Sequence, residues 1–387
     1  MMKELLFVCY GLGIGGIEKC LVNLINALPE DKFNIDLLLM NPEYDLQSQI
    51  KRKINFIDRY KYVMNTTDTM NDISAHGGIL KNIGTFIRYC CFRVSVKLDL
   101  KPWKWFIQLP KKYDVAIAYS QNDYSPCYVI DRVNARKKVM WYHNGAYERT
   151  GNIYDRDKVY YSRFDCIVAV STDCLKVLTQ HFPDCNDRII VIRNICDTKS
   201  IIAKAEEFYP DSFYIKGVHV TTVGRLTSEK GTNLAIKACK NLVEQGVDLC
   251  WHWIGDGNQR DAITKAIDEN NLNHSFILEG NQNNPYPFIK YCDIYVQPSY
   301  YEAYSTTITE AKVLKKPIVT TDVGGMRDQI VDRVNGLIVP IKAEEIATAI
   351  RNLIDNKNLR KCFSAALETN GVSNDEALQD YYRLFTH

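Results

Sequence analysis

The chain has 387 residues, of which 46% are hydrophobic and 24% charged, and its formal net charge is +2 at pH 7. This balance is typical of a globular protein long enough for two domains, and it lacks the strongly basic character of nucleic-acid-binding chains. No run of about 18 apolar residues occurs, so the sequence predicts no membrane-spanning helix.

A glycine-rich loop follows the first predicted strand. The sequence ELLFVCY is almost continuously apolar, as in a buried parallel strand, and an amphipathic helix pattern follows the loop. Between them, Gly11, Gly13 and Gly16 spell G-x-G-x-x-G, which lets a phosphate approach the backbone at a helix N-terminus. A dinucleotide site also needs an acid at the end of the second strand, but Asp36 lies near the beginning of FNIDLLLM. An anion site, a dinucleotide site and a mere tight turn all stay open at this point.

Strand and helix patterns alternate along almost the whole chain. Such alternation predicts parallel sheets with helices on both faces, and twelve strand candidates are too many for one typical sheet. The polar stretch 197–216 has no strand pattern, and we place the domain boundary there. The predicted fold class is α/β, with two Rossmann-like domains facing each other across a cleft. They are residues 1–200 and 201–370, and a helix over 371–387 is predicted to pack back on the first domain. The strand candidates are ELLFVCY, FNIDLLLM, YDVAIAYS, KKVMWYHN, CIVAVS, RIIVIRN, VHVTTVG, LCWHWIG, SFILEG, IYVQPS, PIVTT and GLIVP.

Residues 78–112 form a basic and aromatic insertion in the first domain. Its cations are opposed by a single acid, Asp99, in a chain that is otherwise nearly neutral. Cations beside Trp and Phe suit an anionic membrane surface, so we expect peripheral contact with the inner face of the cell membrane. The alternative is an ordinary helical insertion with a solvated basic face. The cations are Lys81, Arg88, Arg93, Lys97, Lys101, Lys104, Lys111 and Lys112, and the aromatic residues are Phe86, Tyr89, Phe92, Trp103, Trp105 and Phe106.

Two loops of the second domain carry the candidate chemistry. In HVTTVGRLTSEKG, Arg225 and Lys230 stand between a strand and a helix, where two cations could bind two phosphates. In PSYYEAYSTTITEA, Glu302 follows another strand, and Glu310 lies about one turn into the next helix. The amides of residues 303–307 at the start of that helix favour an anion through the helix dipole. Because both loops follow strands of one parallel sheet, we expect them to form one ligand site.

Each of these residues also has a purely structural interpretation. Loop cations such as Arg225 are usually solvated, and Glu302 could be an exposed loop acid. Ser305, Thr306 and Thr307 are natural helix caps, and Thr307 with Glu310 fits a capping box. The convergence of these residues on one sheet edge favours a ligand site over the separate structural roles.

Cysteines and histidines indicate the compartment and the metals to expect. The 13 cysteines are odd in number and scattered through apolar segments, which predicts reduced, buried thiols in a cytoplasmic protein. The N-terminal apolar run is too short for a signal peptide. The seven histidines are dispersed and no Cys or His pair has zinc spacing, so we expect no metal site.

The motifs of the second domain resemble those of glycosyltransferase family 4. VGRLTSEKG, CDIYVQPSYYEAYSTTITEA and PIVTTDVGGMRDQI follow the family's order, and Glu302 and Glu310 match its E-x7-E element. The resemblance is strong over residues 218–340 and weaker in the first half, at Gly15-Gly16 and His143. It implies the GT-B fold and a retaining, metal-independent transfer of a hexose from a nucleotide-diphosphate sugar, with UDP as the expected nucleotide.

The resemblance also implies roles for individual residues. Arg225 and Lys230 would neutralise the donor diphosphate as the sugar leaves. Glu302 would hold hydroxyls of the transferred sugar, Glu310 would hold the ribose hydroxyls, and His143 would hydrogen-bond the donor sugar. The other residues implied in donor binding are Gly15, Gly16, Asn281, Gln282, Ala303, Tyr304, Ser305 and Thr306.

Several functional points stay open on the sequence. Ala303 and Tyr304 stand where the family usually has Gly and Phe, so the resemblance does not fix the donor sugar. The expected acceptor is a glycan or lipid-linked glycan of cell-surface polysaccharide biosynthesis, and we expect no cofactor beyond the nucleotide-sugar co-substrate and no nucleic-acid partner. The alternatives are a non-catalytic sugar-nucleotide or glycan-binding scaffold, an NAD-dependent oxidoreductase using the loop from Gly11 to Gly16, and an inverting enzyme with His143 as general base.

Overall fold

The computed structural model describes residues 2–66, 68, 79–121 and 124–386, and of residues 79–83 it describes the backbone. The chain forms two compact units. The first comprises Met1–Ile195 and Asp375–His387, and the second comprises Cys196–Asn374. Each unit has its own parallel sheet with helices on both faces.

Over the described residues, the sheet of the first unit has seven strands in the order β3-β2-β1-β4-β5-β6-β7, and the neighbouring strands are parallel. The strands are β1 (Lys3–Cys9), β2 (Phe33–Leu39), β3 (Asn55–Phe56), β4 (Lys112–Ala118), β5 (Asn134–Tyr142), β6 (Cys166–Ala169) and β7 (Ile189–Val191). The helices are α1 (Gly16–Ala27), α2 (Arg59–Tyr62), α3 (Ile79–Lys97), α4 (Ser125–Arg132), α5 (Gly151–Tyr161) and α6 (Thr172–His181), together with the C-terminal α14 (Asp375–Thr386).

The sheet of the second unit has six parallel strands in the order β10-β9-β8-β11-β12-β13. The strands are β8 (Val218–Val223), β9 (Leu249–Ile254), β10 (Phe276–Gly280), β11 (Ile294–Gln297), β12 (Ile318–Thr321) and β13 (Leu337–Val339). The helices are α7 (Thr198–Ala205), α8 (Thr232–Glu244), α9 (Arg260–Glu269), α10 (Tyr286–Tyr291), α11 (Thr306–Val313), α12 (Ala343–Asp355) and α13 (Lys357–Thr369).

The apolar patterning of the sequence explains these sheets. All twelve predicted strands form, because parallel strands covered on both faces are almost continuously apolar. The sequence patterns do not predict β3, which is two residues long and is defined by its pairing with β2. In the second unit, α8 and α12 cover one face of the sheet around Trp251 and Trp253, while α10 and α11 cover the other around Tyr295.

The C-terminal helix α14 belongs to the core of the first unit. Its Tyr381 stacks on Trp141 of β5 with ring centroids 5.8 Å apart, and Phe385 meets Phe7 of β1 edge-to-face at 6.1 Å. The Tyr381 hydroxyl also donates to the carbonyl of Arg193 at 3.2 Å. Burial of two large aromatic side chains provides the driving force that holds this distant segment in the first unit.

The basic insertion is partly a core element of the first unit. Phe92, Trp103 and Phe106 are buried, and the Trp103 indole donates to the Tyr160 hydroxyl at 2.9 Å. Gly78 and the side chain of Lys81 lie outside the described residues. Other apolar side chains of the insertion stay exposed, and these are Phe86, Ile87, Val94, Leu98, Leu100, Trp105 and Ile107. Among the described helices, none is long and apolar enough to cross a bilayer.

Candidate active site

The candidate site of the second unit lies where the order of its strands reverses. β8 and β11 are neighbours at the centre of the sheet. From β8 the chain continues through β9 to β10 at one edge, and from β11 it continues through β12 to β13 at the other edge. In a parallel sheet, such a switch point opens a crevice at the carboxyl ends of the strands, and ligands bind there. The loop after β8 carries Arg225 and Lys230, and the loop after β11 carries Glu302. The topology therefore brings both predicted loops to one edge of the sheet.

A glycine allows these two loops to touch. Gly231 has a left-handed φ of 72° and follows the short 3-10 turn Ser228–Lys230. A β-carbon at Gly231 would overlap the carbonyl oxygen of Pro298 in the other loop, so no larger residue fits without a backbone shift. The Tyr300 amide donates to the Glu229 carbonyl at 2.8 Å and closes the same contact. Lys230 is thereby held beside the loop after β11.

Lys230 and Glu302 form an ion pair between the two loops. Nζ lies 2.7 Å from Oε1, and the two side chains are 22% and 10% exposed. Partial burial reduces solvent screening, so the attraction is stronger than in a typical surface pair. The pair thus places two complementary groups in direct contact. The Lys230 ammonium can bind a phosphate, and the Glu302 carboxylate can accept hydrogen bonds from sugar hydroxyls.

Glu302 is also held by buried polar side chains that the sequence analysis missed. Ser299 Oγ donates to Oε1 at 2.9 Å and Gln297 Nε2 donates at 3.3 Å. The side-chain amide oxygen of Gln297, Oε1, accepts from the hydroxyls of Tyr295 and Thr307, each at 2.9 Å. A glutamine at the end of the otherwise apolar strand pattern IYVQ was the signal in the sequence, because a buried amide needs partners.

Helix α11 begins beside the ion pair. Its N-cap is Ser305, whose hydroxyl accepts from the Ile308 amide at 3.3 Å, and the Ser305 amide donates to Gln329 Oε1 at 2.8 Å. Since Ser305 is the cap, the alternative of a capping box between Thr307 and Glu310 is wrong. The amides of a first helical turn have no acceptor within the helix and lie at the positive end of its dipole. The helix start therefore favours an anion next to Lys230.

Glu310 and the turn before α11 complete this edge of the site. Glu310 lies one turn into the helix and is 3% exposed. The residues between the ion pair and the helix are half-buried at this edge; they are Ala303 and Tyr304, followed by Thr306 as the first helical residue.

Two further glycines support the loop that carries Glu302. Gly324 and Gly325 follow β12, and their β-carbons would overlap the carbonyl oxygens of Glu302 and Ala303 respectively. The Gly325 amide donates to the Glu302 carbonyl at 3.2 Å. Neither glycine is among the predicted site residues, although a Gly-Gly pair shortly after a strand indicates close backbone approach.

Arg225 and Asn281 lie apart from this cluster. The Arg225 side chain is 71% exposed and pairs with Glu229 of its own loop at 3.4 Å. Asn281 is exposed after the edge strand β10, where Gln282 donates to the Glu279 carbonyl at 2.8 Å. The structure therefore places both residues at the same end of the sheet as the ion pair without joining them to it.

In the first unit, His143 is a buried, neutral side chain after β5. Its Nε2 lies 3.1 Å from the carbonyl oxygen of Tyr119, so this nitrogen donates and Nδ1 is the nitrogen that can accept a hydrogen bond. Burial lowers the pKa of His143 from 6.5 to about 4, because the imidazolium loses its hydration. A histidine with this pKa is a poor general base at neutral pH but a good acceptor for a hydroxyl.

The glycine loop of the first unit is bordered by carboxylates. Gly15 is the N-cap of α1 and Gly16 is its first residue. A β-carbon at Gly13 would meet the Glu43 carboxylate, and one at Gly15 would meet the Glu18 carboxylate. Negative side chains around a loop oppose the binding of a phosphate there.

Asp36 is engaged elsewhere in the same sheet. It is buried and accepts from the Tyr113 hydroxyl at 2.7 Å and from Lys111 Nζ at 3.1 Å. Asp36 precedes the carboxyl end of β2 and its side chain is already paired, so it is not available to hold a ribose, which weakens the oxidoreductase alternative. Across the described residues, no group of three or more His, Cys, Asp or Glu side chains could hold a metal ion.

Comparison with known proteins identifies the family. The family model "Glycosyltransferase Family 4" matches residues 14–200, and "Glycosyl transferases group 1" matches residues 211–368. The N-acetylgalactosamine-N,N'-diacetylbacillosaminyl-diphospho-undecaprenol 4-alpha-N-acetylgalactosaminyltransferase of Campylobacter jejuni is 24% identical over 377 residues, which are 97% of this chain and 96% of the relative. The poly(ribitol-phosphate) alpha-N-acetylglucosaminyltransferase of Staphylococcus aureus is 27% identical over 168 residues, which are 42% of this chain and 34% of the relative.

Solved structures confirm the predicted fold class. The crystal structure of Anabaena HepE in complex with UDP matches with a TM-score of 0.74 and 16% identity, over 99% of each chain. This likeness shows the GT-B fold, and the two family models together span both units. The chain belongs to glycosyltransferase family 4, within the group 1 glycosyltransferases, and it is a glycosyltransferase.

Proposed function

We propose that this enzyme transfers a hexose from a UDP-linked donor to a glycan or lipid-linked glycan acceptor, with retention of configuration, in cell-surface polysaccharide biosynthesis. The observation that carries the proposal is the Lys230–Glu302 pair at the start of α11, at the switch point of a parallel sheet. The Campylobacter relative, whose name specifies a diphospho-undecaprenol-linked acceptor, and HepE, solved with UDP, support these substrate classes.

The second unit is proposed to bind the donor. Lys230 and the amides of Ala303, Tyr304 and Thr306 at the start of α11 would bind the diphosphate, and Arg225 would move from Glu229 to the same group. Ser305 would contribute as the helix cap, because its own amide donates to Gln329. Glu302 would accept hydroxyls of the transferred sugar and Glu310 would accept those of the ribose. The exposed backbone around Asn281 would line the base.

The proposed reaction needs no protein nucleophile. The bond between the anomeric carbon and the diphosphate oxygen breaks, and the acceptor hydroxyl oxygen forms a new bond to that carbon on the same face. The proton of the acceptor hydroxyl passes to an oxygen of the departing diphosphate. Lys230 and the helix amides stabilise the negative charge that develops on this leaving group, so we propose that no metal ion is required.

The first unit is proposed to bind the acceptor. Carboxylates bordering the glycine loop at Gly15 and Gly16 suit a hydroxyl-rich acceptor better than a phosphate. His143, neutral in this environment, would accept a hydrogen bond from a hydroxyl of the transferred sugar through Nδ1. Its low pKa favours this role over that of the general base in an inverting enzyme.

Peripheral binding to the inner face of an anionic membrane is the last part of the proposal. The buried Phe92, Trp103 and Phe106 cannot contribute to it, but Val94 and Leu98 are exposed next to Lys97 and Lys101. Apolar groups beside cations suit the boundary between acyl chains and anionic headgroups.

A donor screen tests the proposed function. UDP-, GDP- and ADP-linked sugars are added separately, and a bound donor raises the melting temperature through linkage. We expect the largest shift with a UDP-sugar and the same shift in EDTA. Loss of activity in EDTA with recovery on adding manganese would contradict the metal-free mechanism.

Product analysis separates the remaining alternatives. Transfer with the donor's anomeric configuration supports the retaining enzyme, and an inverted product supports the alternative. Donor binding with neither transfer nor slow hydrolysis favours a non-catalytic scaffold, whereas binding of NAD(H) without any nucleotide sugar favours an oxidoreductase.

A further inference from the structure

A continuous chain of hydrogen bonds connects the start of α11 to Glu302. The Ile308 amide donates to Ser305 Oγ at 3.3 Å, and Ser305 Oγ lies 3.1 Å from Thr307 Oγ1. Thr307 Oγ1 donates to Gln297 Oε1 at 2.9 Å. On the far side of this amide, Gln297 Nε2 donates to Ser299 Oγ at 2.9 Å. Ser299 Oγ then donates to Glu302 Oε1 at 2.9 Å.

The carboxylate of Glu302 determines the direction of this chain. A carboxylate paired with Lys230 can only accept, so Ser299 must donate to it, and Gln297 must turn its NH2 group towards both residues. The reversed amide would place its oxygen 3.3 Å from a carboxylate oxygen, which is repulsive. Gln297 Oε1 then faces Thr307, so the hydroxyl of Thr307 must donate its proton to Oε1. Each donor in the chain therefore points towards Glu302.

The amide of Gln297 has no bonding capacity left over. Its two N–H groups serve Ser299 and Glu302, and its oxygen accepts from Tyr295 and Thr307. The side chain is 1% exposed, so each lost bond would leave a buried polar group without water. Gln297 is consequently held in one rotamer and one orientation.

The chain also fixes how Glu302 presents itself to a ligand. Lys230, Ser299 and Gln297 all donate to Oε1, and within the described part of the chain these are its side-chain donors. Aligned donors polarise one another and strengthen the last bond of the chain. Oε1 is thereby anchored to the protein, which leaves Oε2 as the oxygen for the hydroxyls of a sugar.

We propose that Gln297 and Thr307 are positioning residues that orient Glu302 towards the donor sugar and link this orientation to the start of α11. The proposal rests on the proposed role of Glu302 in sugar binding. Because the chain begins at the helix turn that would bind the diphosphate, it connects the two parts of the donor site. The connecting side chains, Thr307, Gln297 and Ser299, would contact neither the diphosphate nor the sugar.

The test compares Thr307→Val, which removes the hydroxyl from a side chain of the same shape, with Thr307→Ser, which keeps it. Calorimetry measures the affinities for UDP and for UDP-glucose, UDP-N-acetylglucosamine, UDP-galactose and UDP-N-acetylgalactosamine, and the tightest of these sugars is used. Thr307→Val should weaken the UDP-sugar by roughly five- to tenfold and change the UDP affinity less than about twofold. Thr307→Ser should restore the wild-type value.

A double-mutant cycle with Glu302→Gln shows whether Thr307 acts through Glu302. In the Glu302→Gln background, Thr307→Val should change the UDP-sugar affinity by less than about twofold, because the acceptor that the chain orients is altered. Equal weakening of UDP and UDP-sugar by Thr307→Val, no effect on either, or full multiplication of the two effects would overturn the proposal.

Failure of the proposed function has a different signature in the same experiment. If the wild-type protein binds neither UDP nor any of the four UDP-sugars, the donor assignment is wrong and the positioning role falls with it. If the wild type binds them and Lys230→Ala weakens both, the donor site stands, and the Thr307 variants alone decide the further inference.

Discussion

Gly324 packs directly on the carbonyl oxygen of Glu302, so closely that a β-carbon at position 324 would overlap this oxygen. Gly325 has the same relationship to the carbonyl of Ala303. The two glycines therefore pack against the backbone of the loop after β11, which carries Glu302 of the ion pair.

Substituting these glycines should distort the candidate site. Gly325→Ala is the cleaner change, because Gly324 has φ +33 and its replacement adds backbone strain to the overlap. We expect Gly325→Ala to lower the free energy of unfolding by about 1–3 kcal/mol and the transfer rate by roughly tenfold or more. Chemical denaturation and a donor-turnover assay measure the two effects.

The matched control is Gly371→Ala in the same unit, where the nearest atoms to an added β-carbon are 3.9 Å away. This variant should have wild-type stability and activity. If Gly325→Ala behaved like Gly371→Ala, the supporting role of the glycine pair would be refuted.

The stability of the protein should fall on acidification because of His143. Its pKa is about 4 in the folded chain and near 6.5 when unfolded, so the unfolded chain binds a proton first as the pH falls. This contribution is fully present above pH 6.5 and is lost on the way down to about pH 4, by about 3 kcal/mol in total. Urea denaturation between pH 4 and 7.5 measures it.

His143→Gln serves as the reference for the pH series. Burial also lowers the pKa of His219, so the wild-type curve alone does not isolate His143. The difference in the free energy of unfolding between the wild type and His143→Gln should decrease towards low pH, because only the wild type loses the stabilisation that comes from the neutral His143. Parallel curves would contradict the buried, neutral state of His143.

Two exposed apolar side chains, Val94 in the last turn of α3 and Leu98 directly after the helix, should be required for membrane binding. Val94→Glu with Leu98→Glu places two carboxylates beside Lys97, and we expect at least a tenfold loss of binding to vesicles containing phosphatidylglycerol. Val334→Glu changes an equally exposed apolar residue of the second unit and should have no effect. Equal binding of the wild type to purely zwitterionic vesicles would count against the anionic-membrane proposal.

Much of the fold could be predicted from the sequence because of how parallel sheets are built. Strands such as LCWHWI and IVTT are buried at every position because both faces of the sheet are covered. Their runs without Asp, Glu, Lys or Arg indicate this burial without any knowledge of the neighbouring elements. The sequence predicts that the loops of Lys230 and Glu302 lie at one edge of the sheet, because the carboxyl ends of parallel strands meet there, but it does not predict the ion pair between the two side chains.

Contacts that depend on neighbouring side chains could not be read from the sequence. In the sequence, Gln297 is a polar residue at the end of a strand, which is typical of an exposed position. In the structure, its amide is hydrogen-bonded to Thr307 and Ser299. Arg225 and Lys230 are equivalent in the sequence, but the turn at Gly231 directs only Lys230 to the carboxylate. The periodicity of a sequence predicts which face of an element is buried, but it does not specify which side chains contact that face.

We propose that Lys230 is the main side-chain cation of the donor diphosphate site. Calorimetric titration of UDP in EDTA, with the wild type, Lys230→Ala and the exposed-lysine control Lys357→Ala, tests it most directly. We expect Lys230→Ala to weaken UDP binding by roughly 10- to 100-fold, as for a charged hydrogen bond, and Lys357→Ala to match the wild type. Wild-type affinity in Lys230→Ala would show that Lys230 does not bind the diphosphate.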